Sequence, residues 1–549
     1  MVEQRADLMI VNARPWSDGM SLPDADAVAV GSGRVLRVGR AAELASLAGR
    51  ETHRLDAGGG TVTPGLTDGH LHLVAWARSR VALELFDCPS RAAALTRVAA
   101  YLDSHPGTDT VVGRGWDANR WAEMPERAAL DAVAATRPVV LHSKDFHSLW
   151  VNSAALARAR VTRLTADPPG GRLERDGAGE PTGVAREHAV RLFAALAPAA
   201  GLEADVALVR DAVRALHAEG ITAVHDFEGA DEQRVLRSLT HGEGPRLRVL
   251  MHLPHAALEH ALDLGLTSGT GDDLFRVGAI KLFADGTLGS QTAALLEPYE
   301  GSADRGMELI APDELARLVA RAAAGGLAVA IHAIGDRAVR SSLDAIAAAG
   351  PAARAAALPP RIEHVQLLDP ADLPRFAALG VMASMQPSHC TSDIDVARRH
   401  WGRRAASSYP WRSLLASVAR LVFGSDAPVE APSTAHGLRS AVTRQRSDDT
   451  PSDGFFPAER LELDAALAAY TEGPARACGA WPRLGRIAAG LPADLAVWSA
   501  DLHRTAGPAL SSVQVMATVM DGEVVFERGG PAPIQASAGR QEKAFGGAR

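Results

Sequence analysis

Polar and apolar positions change rhythm twice along this chain. From residue 7 to about 63 the apolar residues come in short runs: Asp7-Leu8-Met9-Ile10-Val11-Asn12, Ala27-Val28-Ala29-Val30, and Val35-Leu36-Arg37-Val38-Gly39 after the turn Gly31-Ser32-Gly33-Arg34. These runs predict strands, and the last two predict a hairpin. The paired glycines read as turn residues, because a dinucleotide-binding loop needs a following helix that is not written here. From Gly485-Arg486-Ile487 the same rhythm returns, in Ala493 to Trp498, Val513 to Met520, and Glu523 to Phe526 after Asp521-Gly522. Two β-rich ends predict one small β domain built from both termini. The Gly/Pro/Ala-rich tail, 529–549, predicts disorder.

The middle follows another rule. Stretches of helical spacing (91–102, 204–219, 313–325, 336–349, 371–379) alternate with apolar strand candidates, the βα pattern of a parallel sheet or barrel. The candidates are Ile221 to Val224, Gly278 to Phe283, Leu327 to Ile331, Arg361 to Val365, Val381 to Met385 and Leu421 to Gly424. Too much chain separates His72 from Ile221 for one βα step, so a subdomain inserted over about 80–205 is expected.

Composition narrows the class. The 549 residues leave room for a barrel of roughly 250 residues or more plus additions. At 47% hydrophobic and 22% charged the chain is globular. The net charge of −8 gives no basic field for nucleic acid or an anionic membrane. The three dispersed cysteines, Cys88, Cys390 and Cys478, fit a reducing compartment and exclude a clustered thiolate site. A charged N-terminus and the lack of a long apolar run predict a soluble, cytoplasmic protein. Of the 57 basic residues only Lys144, Lys281 and Lys543 are lysines, and Lys281 sits inside an apolar strand candidate.

Candidate chemistry begins at Thr67-Asp68-Gly69-His70-Leu71-His72. Side chains alternate on a strand, so His70 and His72 share a face and can share a metal ion, and imidazole suits zinc and its first-row neighbours. Alone, two such histidines are more often polar surface. Later strand candidates carry further metal-competent residues: His225-Asp226, Lys281, His332, His364 and Asp426. In a parallel barrel the C-terminal strand ends meet at one mouth, which would gather His70, His72, Lys281, His332, His364 and Asp426. No Gly-x-Ser-x-Gly elbow and no Gly-x4-Gly-Lys phosphate loop occurs.

With these residues in place the chain resembles the amidohydrolase superfamily, in the family 3 branch of YtcJ-like proteins and N-substituted formamide deformylase. The stretches carrying the resemblance are Pro64 to His72, Gly113 to Asp117, Trp150 to Ser153, Gly220 to Asp226, Asp285 to Ser290, His332 to Val339, Arg361 to His364 and Phe423 to Pro428. It departs at Gln291, where that family commonly has arginine. The resemblance implies a (β/α)8 TIM-like barrel over 65–481, with a β-sandwich from 1–64 and 482–528. It implies two metal ions, Zn2+ first and iron or manganese as alternatives. His70, His72 and Asp426 would hold one, His332 and His364 the other, and a carboxylated Lys281 would bridge them. Asp426 would act as general base, His225 would help polarise the carbonyl, and Asp285 would steady a ligand.

Other residues are weighed more evenly. Trp116, Asp117 and His147 are expected to line a substrate pocket or simply to pack the insert, and His389 is a substrate-binding candidate. His225 is equally explained as a hydrogen-bonded strand-end histidine. Lys144 reads as a solvated charge, and Glu187 and His188 as a helix surface. The expected activity is hydrolysis of a C–N amide bond in a small molecule, an N-substituted formamide or N-acyl compound. A cyclic amide or ester hydrolase, a deaminase, and a non-catalytic regulator on the same scaffold are the alternatives. A small-molecule substrate is the expected partner, and a homo-oligomer is left open.

Overall fold

A computed structural model describes residues 5–196, 201–240 and 244–530, so most of the tail expected to be disordered lies outside the described residues. Its centre is an eight-stranded sheet: β1 Leu66–Leu71, β2 Ile221–Asp226, β3 Arg248–Pro254, β4 Phe275–Phe283, β5 Val329–Ala333, β6 Arg361–His364, β7 Met382–Met385 and β8 Arg420–Phe423. The strands lie in chain order and each neighbouring pair is parallel. They are buried on both faces, as parallel strands flanked by helices must be. That is why β3 escapes the hydrophobic pattern: Val249-Leu250-Met251 is a continuous apolar run, which periodicity cannot tell from a buried helix.

The ends of the sheet meet where β8 passes into its loop. The Asp426 N–H donates to His70 O at 2.6 Å, and Ser425 donates from N and Oγ to the Asp68 carboxylate at 3.0 and 2.6 Å. The approach is close enough that a Cβ on Gly69 would fall 2.6 Å from Phe423 O and 2.3 Å from Val422 Cγ1. Gly69→Ala is therefore expected to cost on the order of 3 kcal/mol, the upper range for overpacking. Its measure is the thermal midpoint, and an unchanged midpoint would show that the junction can yield.

Both termini build the β-sandwich. One sheet holds Arg34–Gly39, Ala27–Gly31, Ala6–Val11 and Ala48–Asp56; the other runs from Glu523–Glu527 through Val515–Met520, Leu495–Trp498 and Thr61–Pro64 to Arg14–Ser17 and Met20–Ser21. Leu8, Ile10, Val28, Val62, Val497 and Val519 meet between them. The expected hairpin is present, with Ser32 and Gly33 at φ 49° and 78°.

Between β1 and β2 a second six-stranded sheet appears, ordered Gly171–Arg175, Pro181–Glu187, Ser148–Val151, Val139–Ser143, Val111–Trp116 and Leu83–Glu84. It has hydrophobic clusters of its own around Trp150 and Val151. The helix Leu202–Ala218, whose first turn fell within the range expected for the insert, packs against β2 and the short helix Leu73–Ser79 as part of the barrel. Among the described residues no helix is long and apolar enough to cross a membrane.

Candidate metal centre

The barrel mouth opens into a cavity of about 640 Å3. His70, His72, Lys281, His332, His364 and Asp426 all line it, drawn from β1, β4, β5, β6 and the loop after β8. Two of them need unusual backbone to get there. Alternation along β6 would send Glu363 and His364 to opposite sides, but His364 has φ 75° and Val365 φ 45°, which ends the strand and turns His364 to the mouth. Asp426 has φ 59°. Left-handed conformations in non-glycine residues cost free energy and cluster at functional sites.

Asp426 is the hub. Its Oδ1 lies 3.6 Å from His70 Nε2 and 3.4 Å from His72 Nε2, and its Oδ2 3.9 Å from His364 Nδ1 and 3.8 Å from His389 Nε2. Among the described residues, His70, His364 and Asp426 form a group whose ligand atoms lie within 4.8 Å of one another. The rings of His332 and His364 are 4.5 Å apart.

The hydrogen bonds beneath this cluster fix what it can bind. His70 Nδ1 lies 2.7 Å from Glu363 Oε2, and a carboxylate only accepts, so Nδ1 carries the proton. Burial keeps His70 neutral, well below its usual pKa. Its Nε2 therefore turns a lone pair toward the Asp426 carboxylate. A lone pair and a carboxylate facing each other across 3.6 Å fit a cation held between them. Burial also drives His332 and His364 well below their usual pKa, leaving them neutral as ligands must be.

Glu363 is set in turn by Arg361, which is 1% exposed. Arg361 donates to both Glu363 oxygens at 2.6 and 3.0 Å, to Gly69 O and Ser384 Oγ at 2.7 Å each, and to His225 Nδ1 at 2.9 Å. His225 thus sits below the mouth, does not line the cavity and is held by a guanidinium. Asp285 does not line it either; its carboxylate accepts from the N–H groups of Ile334, Gly335 and Ala294 at 3.0, 2.8 and 2.8 Å and lies 3.6 Å from His332 Nε2. Lys281 is 4% exposed, with Nζ 4.5 Å from the Phe227 ring and 4.9 Å from that of Phe283, and burial pushes its pKa down to about 8.

The insert forms the opposite wall. Trp116, Asp117 and His147 line the cavity, as do His389 and Gln291 from the barrel. Its docking loop is the stretch after β4: Thr287 Oγ1 and Ser290 Oγ donate to Asp145 at 2.7 and 3.0 Å, and Asn119 Nδ2 to Gly289 O at 3.0 Å. Two readings of the sequence are corrected here. Lys144 is not a solvated charge: its Nζ pairs with Glu430 at 3.1 Å and lies 5.0 Å from the Phe86 ring, joining insert to barrel. Glu187 is not on a helix surface: it ends a strand, is buried, and accepts from Thr292 Oγ1 while lying 2.7 Å from His147 Nδ1. Burial alone would lower the His147 pKa, but Glu187 and Asp145 lift it to about 9. His188 begins a 3-10 turn and its Nδ1 donates to Pro169 O at 2.8 Å.

Comparison with known proteins gives a consistent picture. The amidohydrolase family pattern matches residues 54–526. Protein LONG AFTER FAR-RED 3 of Arabidopsis thaliana is 32% identical over 538 residues, covering 95% of this chain and 92% of its own. Putative amidohydrolase YtcJ of Bacillus subtilis is 31% identical over 492 residues, covering 87% of this chain and 91% of its own. N-substituted formamide deformylase of Arthrobacter pascens is 30% identical over 549 residues, covering 96% and 99%. Among solved structures, an uncharacterized metal-dependent hydrolase from Pyrococcus horikoshii superposes with TM-score 0.72 at 25% identity, covering 91% of this chain and 99% of that one.

Proposed function

This chain belongs to the amidohydrolase family, and from that premise we propose that it hydrolyses the C–N bond of a small amide, an N-substituted formamide or related N-acyl compound. The observation that carries the reading is the His70 lone pair set against the Asp426 carboxylate at the floor of a cavity of about 640 Å3. His70, His72 and Asp426 would hold one divalent ion and His332 and His364 a second, with Zn2+ the best match to imidazole and carboxylate donors. Lys281 would lie between the two as a carbamate: its neutral amine nitrogen bonds to the carbon of CO2 and releases a proton. A divalent cation bound there supplies Lewis acidity and a water acidified to near neutral pH.

The chain's own groups do the rest. Asp426 accepts a proton as the water oxygen bonds to the carbonyl carbon, and returns it to the nitrogen as the C–N bond breaks. Glu363 holds the His70 proton on Nδ1 throughout, with Arg361 fixing Glu363. The insert walls the side of the cavity opposite the barrel residues. The cavity suits a small molecule as partner. N-Substituted formamide deformylase carries that activity in its name, and its likeness to this chain runs nearly end to end.

Metal analysis with a panel of N-alkyl and N-aryl formamides, larger N-acyl amines, cyclic amides and esters tests the proposal. At least one divalent ion per chain is expected, with formamide turnover lost on dialysis against a chelator and restored by Zn2+. Turnover confined to cyclic amides or esters would overturn the substrate class. A chain without metal or turnover would overturn the enzyme.

A further inference from the structure

Of the barrel strands, β2 supplies none of the metal donors named above, yet the chain just past its end is packed against them. Phe227 is buried there, its ring stacked on that of His70 with centroids 3.9 Å apart and planes 16° apart. The ring of His252, from β3, is stacked on Phe227 as well, at 4.1 Å and 10°. Two rings that close and that parallel cannot share one face, so Phe227 is sandwiched between them. His252 has little room to give way: its Nδ1 accepts from the Ala279 N–H at 2.9 Å, and a Cβ on Gly278 would fall 2.7 Å from that nitrogen. The backbone around Phe227 is tied down too. Its N–H donates to Leu71 O at 3.1 Å, and Asp226 Oδ2 accepts from the Leu73 N–H at 2.9 Å. The two Glu228 oxygens accept from the Val74 and Ala75 N–H groups at 2.8 and 2.7 Å. Each of these bonds joins the end of β2 to the chain on one side or the other of His72.

A histidine ligand needs more than the right tautomer. Glu363 fixes which His70 nitrogen carries the proton and where that nitrogen sits, but one hydrogen bond does not fix the plane of the ring. A flat face pressed against the ring does, and so sets the line along which the Nε2 lone pair points toward Asp426 Oδ1, 3.6 Å away. Phenylalanine suits the task because it has no polar atom to compete for a cation, for Asp426 or for Glu363. The same ring lies 4.5 Å from Lys281 Nζ and 5.4 Å from Arg361 Cζ, so one side chain borders His70, the lysine of β4 and the arginine beneath them. We propose that Phe227 is a positioning residue that holds the His70 ring in the plane a metal ligand needs, with His252 as its backing. This rests on the metal-dependent reading above and does not depend on which amide is cleaved.

The test strips the full-length chain of metal and measures its affinity for Zn2+ by competition with a chelating dye. Phe227→Leu, which removes the flat face and keeps an apolar side chain, should weaken Zn2+ binding by about 10–100-fold, the scale for loss of a group that supports a metal ligand. Phe376→Leu is the control for a merely structural loss: this phenylalanine is fully buried in helix Leu373–Leu379 and does not line the cavity. It should lower the thermal midpoint and leave Zn2+ affinity unchanged. A second readout needs no metal. Exchange of the His70 Nδ1–H with solvent, followed through its proton resonance in the metal-free chain and identified by its absence from His70→Gln, should quicken at least tenfold in Phe227→Leu. In a wild-type chain that binds Zn2+, a loss of affinity below about fivefold in Phe227→Leu, or a loss that Phe376→Leu shares, overturns the assignment. In a wild-type chain that binds no divalent ion the metal reading falls and exchange decides. Quickening of at least tenfold then leaves the positioning role standing, and any smaller change overturns it.

Discussion

Asp426→Asn should retain most of its metal and lose kcat by about 10²–10⁴-fold, the span attributed to a general base. Asparagine matches aspartate in shape, so the φ of 59° and the N–H bond from residue 426 to His70 O are kept. One oxygen remains to face the histidines. What disappears is the second oxygen, 3.8 to 3.9 Å from His389 and His364, which cannot take a proton once it is an amide nitrogen. Steady-state kinetics alongside metal analysis separate the two roles proposed for Asp426. Full kcat in Asp426→Asn would remove its part in proton transfer, while loss of metal would show that ligation, not base chemistry, dominates at this position.

The six metal-competent residues were legible in the sequence because a parallel barrel brings strand C-termini to one mouth whatever their separation along the chain. His70, His72, Lys281, His332, His364 and Asp426 share the cavity for that reason. The layer beneath them was harder to read. Arg361 and Glu363 are two apart on one strand and so share a side, but only the structure shows that this side carries the ion pair under His70. A signal did exist: an arginine and a glutamate alternating within a fully buried strand must satisfy each other. His225 lies at the end of β2 and Asp285 just past β4, where catalytic residues sit, yet each is taken up by a partner below the cavity, Arg361 for one and three backbone N–H groups for the other. The insert was least legible of all. Glu187 is buried through His147, 40 residues away, and Thr292, 105 residues away, and neither pairing leaves a periodic trace in the sequence.

Lys281→Arg should weaken metal affinity by roughly 10–100-fold or more and lower turnover with it, at least the scale seen when groups supporting a metal site are removed. Lysine is nearly absent from this chain, so its presence in β4 calls for a property arginine lacks. That property is a proton it can lose. Burial pushes the Lys281 amine down to about 8, so near neutral pH a useful fraction is the neutral base that carboxylation consumes. A guanidinium stays charged, and between Phe227 and Phe283 it would sit as a permanent cation beside the metal-competent cluster. The sign of the pH dependence follows from the same group. Reconstitution of metal-free protein should quicken from pH 7 to 9 as the amine loses its proton, and should depend on added bicarbonate in the wild type but not in Lys281→Arg. A 13C carbamate signal after labelling with bicarbonate should appear in the wild type alone. Full metal content and full activity in Lys281→Arg would leave the bridging role without support, and the rarity of lysine would then need another cause.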